Sequence, residues 1–274
     1  MNIHFLYPSG NPTALVFYRP NNANQKYFIG KKIIETYPAI EQVGFLYKEN
    51  EQFNLEMVWN ELCINATLCS FFLLNKIYTK NNNTIYLQGP NRFVEGAILA
   101  NGETKTSFLL HKDNISIWEQ LDRVDFPWIT HFYLKQYTQD FDNISHSLLN
   151  LFKDTLDTWA IGINQFQKKG DKVQLDTYVM VKEAGTIIKE TACWSGCLWL
   201  TGISLSEKIK ETDLSILQAS WETIATYGRT HNNNELSLDI INKVDYIWKI
   251  WDLTLWEHHS DLATPYTYVR QVPL

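Results

Sequence analysis

Asn60-Glu61-Leu62-Cys63-Ile64-Asn65-Ala66-Thr67 and, in the other half of the chain, Glu190-Thr191-Ala192-Cys193-Trp194-Ser195-Gly196 are the stretches on which the reading turns. Each sets a cysteine at the opening of a helix-forming run. A thiol with an ordinary pKa near ~8.5 is drawn toward neutrality at a helix N-terminus, so such a residue can both take and give a proton. Two of them in matching surroundings suit chemistry that removes a proton from one face of a carbon and returns one to the other.

Outward from the first block, residues 2–7, 14–18, 43–48 and 53–59 are rich in β-branched and aromatic side chains and are divided by Gly, Pro and Asn, which predicts strands. Residues 66–77 read as a helix, and 84–87, 93–99 and 104–110 as strands that close a first lobe. The polar run 111–114 marks the boundary between an N-terminal lobe, 1–112, and a C-terminal lobe, 113–274, whose last strand is able to return to the first. Around the second block the plan repeats. A strand at 129–135 precedes a helix at 144–159 with Leu148, Leu149, Phe152 and Leu156 at helical spacing. Strands at 160–166 and 173–181 lead to Cys193, a helix over 198–209 and strands at 216–227, 236–241 and 246–256. Strand, cysteine, helix and more strands, twice over, predicts a duplicated α+β fold with the cysteines facing across the cleft between lobes.

Composition bounds the rest. A length of 274 residues suffices for two such lobes, and 45% hydrophobic with 20% charged residues describes a globular chain and not a disordered one. A net charge of −6 gives no electrostatic reason to expect nucleic acid or an anionic membrane as partner. With neither a signal-like N-terminus nor a long apolar run, the expected location is the cytoplasm, where Cys63, Cys69, Cys193 and Cys197 stay thiols. Their spacing matches no zinc pattern, so no metal is expected. Cys69 and Cys197 read as small buried hydrophobes. A small molecule is the expected partner, and a homodimer is compatible with the aromatic stretch carrying Trp248, Trp251 and Trp256.

Four blocks in order, Pro8-Ser9-Gly10-Asn11, Glu41-Gln42-Val43-Gly44-Phe45 and the two cysteine blocks, resemble the diaminopimelate epimerase-like superfamily, most nearly its histidine-racemase branch from opine-metallophore biosynthesis. The resemblance implies two pseudo-symmetric lobes, each a curled antiparallel sheet around a central helix. It implies a racemase or epimerase that needs no pyridoxal phosphate or other cofactor, with Cys63 and Cys193 as the two bases. Backbone N–H groups of Asn65, Ala66, Ser195 and Gly196 would then bind the substrate carboxylate and stabilise a carbanion. By the same matching Asn11 would hydrogen-bond the substrate, Glu41 would reach its amine or side chain, and Asn54 is a weaker candidate.

Departures from the family pattern are as informative. Ile64 and Trp194 stand where glycine usually follows the cysteine, Trp59 replaces a small residue, and Ser220-Trp221 replaces a Gly-Gly turn. The arginine of diaminopimelate enzymes is missing from residues 182–189, which argues against a dicarboxylic substrate. Trp59, Ile64, Trp194 and Trp221 would together line a pocket for an apolar, aromatic or imidazole-bearing amino acid. Gly10-Asn11-Pro12 also resembles the phenazine-biosynthesis isomerases, in which a glutamate at the position of Glu41 shuttles the proton. The alternatives are therefore an isomerase or cyclising enzyme using Glu41, and a binding module whose active site has decayed. His131 lies where relatives often carry a histidine near the cleft, although a structural histidine is the simpler account, and His258-His259 read as solvent-facing.

Overall fold

The computed structural model describes residues 1–126, 129–182, 185–206, 210–232 and 234–250. The first half runs β1 (Asn2–Tyr7), β2 (Thr13–Phe17), α1 (Ala23–Thr36), β3 (Gln42–Glu49), β4 (Gln52–Met57), α2 (Ile64–Tyr78), β5 (Asn82–Leu87), β6 (Arg92–Ile98) and β7 (Thr104–His111). After a single 3₁₀ turn at Lys112–Asn114 come β8 (Ile115–Ile117), β9 (Leu121–Phe126), β10 (Ile129–Leu134), α3 (Phe141–Phe152), β11 (Ala160–Lys169) and β12 (Lys172–Val181). They are followed by β13 (Thr186–Lys189), α4 (Trp194–Ser206), β14 (Glu211–Leu217), β15 (Thr223–Thr230), β16 (Glu235–Asn242) and β17 (Asp245–Ile250).

The pairing repeats with a clarity that the sequence only hints at. In the first lobe β1 is antiparallel to β2, β2 is parallel to β3 across α1, β3 returns in β4, β4 is parallel to β5 across α2, and β5, β6 and β7 form a meander. In the second, β9 is antiparallel to β10, β10 is parallel to β11 across α3, β11 returns in β12, β12 is parallel to β14 across α4, and β14, β15 and β16 form the meander. The sheets are thus mixed and not antiparallel throughout, because a helix inserted between neighbouring strands brings the second back in the same direction. The lobes are stitched together by the antiparallel pair β7–β16 and by β17, which lies beside β1.

The two central helices are apolar almost all round, as a helix wrapped by a sheet must be. Leu68, Phe71 and Leu74 of α2 and Leu198, Trp199 and Ile203 of α4 lie in one continuous core. By contrast α1 and α3 each bury one face, α1 through Lys26, Ile29, Gly30 and Ile33, and α3 through Phe141, Ser145 and Leu149.

Several elements differ from the sequence expectation. Helix α1 is additional, since a lysine and a glycine occupy two of its inward positions and blur its apolar stripe. The helix expected at 144–159 is α3, which stops at Phe152 and starts three residues earlier, and that expected at 198–209 is α4, which begins at Trp194, directly after Cys193. The strand expected at 216–227 is a hairpin, β14 and β15, turned through residues 218–222, where Trp221 adopts φ +66°. Trp251, Trp256, His258 and His259 lie outside the described residues. Among the described residues no helix is long and apolar enough to cross a membrane.

Candidate active site

Cys63 is the N-cap of α2. Its backbone is extended, at φ −118° and ψ 105°, and its sulfur accepts the Ala66 N–H at 3.2 Å, the role that a serine or aspartate oxygen usually fills. The turn delivering it is held hard. Asn60 sits at φ +59° with its carbonyl against Gly89, where a Cβ would stand 1.8 Å from that oxygen. Lys26, buried on α1, donates to Glu56 at 2.8 Å and also to Asn60. On its other side the Cys63 thiol donates to Gln42 Oε1 at 2.7 Å, and Asn65 Nδ2 donates to the same oxygen at 3.1 Å. Burial pushes the thiol pKa well up, and the neighbouring Glu61 carboxylate adds to the rise.

Cys193 opens α4 in the corresponding place. Its backbone N–H donates to Gln218 Oε1 at 2.8 Å, and Gln218 Nε2 donates to Cys197 Sγ at 2.9 Å, so one carboxamide anchors both cysteines of this helix start. The Cys193 sulfur lies 3.6 Å from Ser195 Oγ, which is 3.0 Å from His131 Nε2. His131 Nδ1 is 3.0 Å from Asn164 Nδ2, and Asn164 Oδ1 accepts from Thr177 at 2.8 Å. Burial raises the Cys193 thiol to about 12, with Glu190 contributing. Burial also lowers His131 to about 3, which keeps the ring neutral.

Between the two helix starts lies a rim drawn from both lobes. Thr191 Oγ1 is 2.8 Å from the Gly10 carbonyl, 3.1 Å from Asn11 Oδ1 and 3.2 Å from Glu41 Oε1, a single hydroxyl hydrogen facing three acceptors. Asn11 Nδ2 reaches Glu190 Oε2 at 3.4 Å. Glu190 is raised to about 7 by burial and by the Glu41 carboxylate, and it lies within electrostatic reach of both Cys63 and Cys193. Glu61 is raised to about 7 by burial as well. Gly10 is required here: its φ is +110°, and a Cβ would stand 2.7 Å from both Ala192 Cβ and Ser220 Oγ.

The structure thus gathers Asn11, Glu41, Cys63, Asn65, Ala66, Cys193, Ser195 and Gly196 around the junction of the lobes. It does not bring the four bulky residues to one pocket: Ile64 and Trp194 share the core that holds both cysteines, whereas Trp59 and Trp221 lie away from it. Trp59 packs on the outer core of the first lobe, edge-on to Tyr27 at 5.0 Å, while Ile64 and Trp194 are buried in the main core. Trp221 is 78% exposed on its hairpin turn. Asn54 spends its amide on the Gln52 carbonyl and on Gln88, which ties β4 to the turn after β5. Glu190, Glu61, Gln42 and Thr191 were not singled out by sequence, although each lies within three residues of one that was. His131 is structural in its burial and yet bonded toward Cys193. A cavity of about 300 Å³ lined by Arg123, Asp125, Thr130 and Asp157 touches neither cysteine. Among the described residues no group of His, Cys, Asp and Glu is placed to hold a metal ion.

Residues 2–247 match the family described as the histidine racemase CntK N-terminal domain. A histidine racemase of Fusobacterium nucleatum is 31% identical over 209 residues, covering 69% of this chain and 75% of that protein. Among solved structures, a putative phenazine-biosynthesis PhzC/PhzF protein from Clostridium difficile is similar with TM-score 0.61 at 13% identity, over 92% of this chain and 99% of that one. A hydroxyproline epimerase from Agrobacterium vitis with bound trans-4-hydroxy-L-proline is similar with TM-score 0.60 at 9% identity, over 91% and 90%. At such identities the solved structures establish the fold alone, that of the diaminopimelate epimerase-like proteins.

Proposed function

The chain belongs to the histidine racemase family, and from that membership we propose that it is an amino-acid racemase that inverts the α-carbon of histidine, with Cys63 and Cys193 exchanging the proton. The observation that carries the reading is the matched placement of the two thiols. Each stands at the start of the axial helix of its lobe, both lie in one core, and Glu190 is within electrostatic reach of both.

The rim suits such a substrate. Asn11 Oδ1, Glu41, Glu190 and the Gly10 carbonyl offer acceptors in excess of the donors present, which favours an incoming ammonium or imidazole N–H. Helix N-termini such as the starts of α2 and α4 favour a carboxylate and the negative charge that develops as the α-proton leaves, and there Ala66 N–H already faces the Cys63 sulfur as Gly196 N–H faces Cys193. One sulfur removes that proton from one face while the other supplies one to the opposite face. Since both thiols are buried, the lobes have to part to admit the amino acid and close to dry the site.

L-Histidine incubated with the enzyme in deuterium oxide tests this. Deuterium at the α-position together with the appearance of D-histidine is expected. A second reading, proton shuttling by Glu41, draws on the elevated carboxyl pKa that burial gives that residue; it requires a different substrate and label at a different carbon. No exchange with any amino acid would set the racemase reading aside, and no label at any carbon of any substrate would leave only a binding module.

A further inference from the structure

A two-thiol transfer starts with one thiolate and one thiol, and the matching sequence blocks do not say which is which. Hydrogen-bond direction does. Asn164 Nδ2 faces the Phe132 carbonyl at 2.9 Å, and a carbonyl only accepts, so the orientation of this carboxamide is fixed. Its second N–H then points at His131 Nδ1, 3.0 Å away, which has to accept. The ring is fully buried and neutral, so its one proton sits on Nε2 and is donated to Ser195 Oγ at 3.0 Å. That leaves the Ser195 hydroxyl hydrogen for Cys193 Sγ, 3.6 Å away. Every link of the chain delivers a donor to this sulfur, and a donor favours the anion.

At Cys63 the direction is reversed. In the structure its sulfur donates to Gln42 Oε1, an oxygen that also accepts from Asn65 Nδ2, and a donating sulfur carries its hydrogen. The helix N-terminus does not distinguish the two, for Ala66 N–H faces Cys63 as Gly196 N–H faces Cys193. The ionisable groups facing the sulfurs are Glu190 at both, Glu61 and Cys69 at Cys63, and Tyr133 and Cys197 at Cys193. Of these Glu61 opposes a second negative charge at Cys63 only.

We infer that Cys193 ionises first and begins the reaction as the thiolate while Cys63 begins as the thiol, with Ser195, His131 and Asn164 as positioning residues for the one and Gln42 for the other. The inference rests on the two-thiol reading above. In the forward step the Cys193 thiolate takes the α-proton, the C–H electron pair stays on carbon, and Cys63 gives its S–H proton to the opposite face. The enzyme is left with Cys193 protonated and Cys63 ionised. Once Cys193 is ionised, the enzyme therefore takes the enantiomer whose α-hydrogen faces Cys193, and either the opposite enantiomer or proton exchange with water resets it.

Titration of the ligand-free full chain by thiolate ultraviolet absorbance tests the assignment, with Cys63→Ser and Cys193→Ser identifying the steps. The lower step is expected to vanish in Cys193→Ser and to persist in Cys63→Ser. Ser195→Ala should raise that step by about one to two pH units, the worth of a hydrogen bond to a charged group, and Gln42→Leu should lower the Cys63 step. A lower step lost in Cys63→Ser, or one that Ser195→Ala leaves in place, overturns the inference. Should a variant fail to fold by circular dichroism, the pH dependence of alkylation at each cysteine of the wild-type chain, read by peptide mass spectrometry, decides the order. No substrate is present in these titrations, so their failure leaves α-exchange in deuterium oxide untouched, and failure of that exchange leaves the titration order untouched.

Discussion

Gly162→Ala is a change of one methyl group aimed at the chain that ends on Cys193. Gly162 on β11 is paired with His131 on β10, and an added Cβ would stand 2.2 Å from Nδ1 and 2.5 Å from Cε1 of the imidazole, where ordinary contact begins near 3.4 Å. The ring has to retreat by more than an ångström. It has no slack, being 0% exposed and bonded at both nitrogens. Overpacking of this kind costs about 1–3 kcal/mol, and loss of the Asn164 bond leaves a buried ring nitrogen unpaired at about 1–3 kcal/mol more. Urea denaturation should therefore show a loss of roughly 2–6 kcal/mol with little change in m-value. The acid limb of the kcat/KM profile should move to higher pH as Ser195 loses its orientation. Gly96→Ala is the control, since its Cβ would stand 2.2 Å from Phe71 in the first lobe and should destabilise without moving that limb. A Gly162→Ala protein within about 0.5 kcal/mol of wild type, with the same pH profile, would refute the placement of His131.

Replacing either cysteine by alanine should abolish racemisation while one of the two variants still exchanges the α-proton from a single face; undiminished turnover by the double variant, measured by polarimetry, would pass the chemistry to Glu41. Trp221→Gly should raise stability by roughly 0.5–1 kcal/mol, because an exposed side chain at φ +66° gives up left-handed strain that exceeds the entropy cost of glycine; a lower melting temperature would contradict this. His4, lowered to about 4, and His131, lowered to about 3, hold neutral forms whose stabilisation is complete above the ordinary value of 6.5 and drains away on acidification at about 1.4 kcal/mol per histidine per pH unit. Glu61 and Glu190, raised to about 7 from 4.5, act in the opposite sense and lower stability as pH climbs through that interval. Chemical denaturation across pH should therefore be nearly flat between 4.5 and 6.5 and fall steeply below, and a steep slope inside that window would refute the pairing of effects.

The axial helices were legible because their residues are apolar almost throughout, but the start of α4 was placed four residues late, since it opens on the small and polar Ser195 and Gly196 before its apolar run begins. Helix α1 was not legible, since Lys26 and Gly30 fill inward positions that a hydrophobic pattern expects to be apolar. Lys26 is inward for its ammonium, which pins Asn60, and Gly30 for its lack of a Cβ, which would stand 2.3 Å from Val58. Strand β9 was hidden by Asp122, Arg123 and Asp125, charges that pair on the strand or with Lys135. The cysteine blocks named the neighbourhood of the site, whereas the rim comes from pairings that no local pattern carries: Thr191 meets Gly10 and Glu41, and His131 meets Ser195. The tryptophan-lined pocket failed for a related reason. Bulk at a position says that space is filled, and only the fold says in which core.

Strand β17 lies beside β1, and their partnership spans nearly the whole chain, Ile3 opposite Ile250 and Tyr7 opposite Asp245. During synthesis the first lobe emerges with its β1 edge bare, and that edge stays bare until the second lobe has been made. Loop closure over such a separation is slow, and an unpaired edge in the meantime is where chains stick to one another. A lobe begun first is thus finished last, and emergence of β17, rather than collapse of the N-terminal half, is the event that closes the exposed edge.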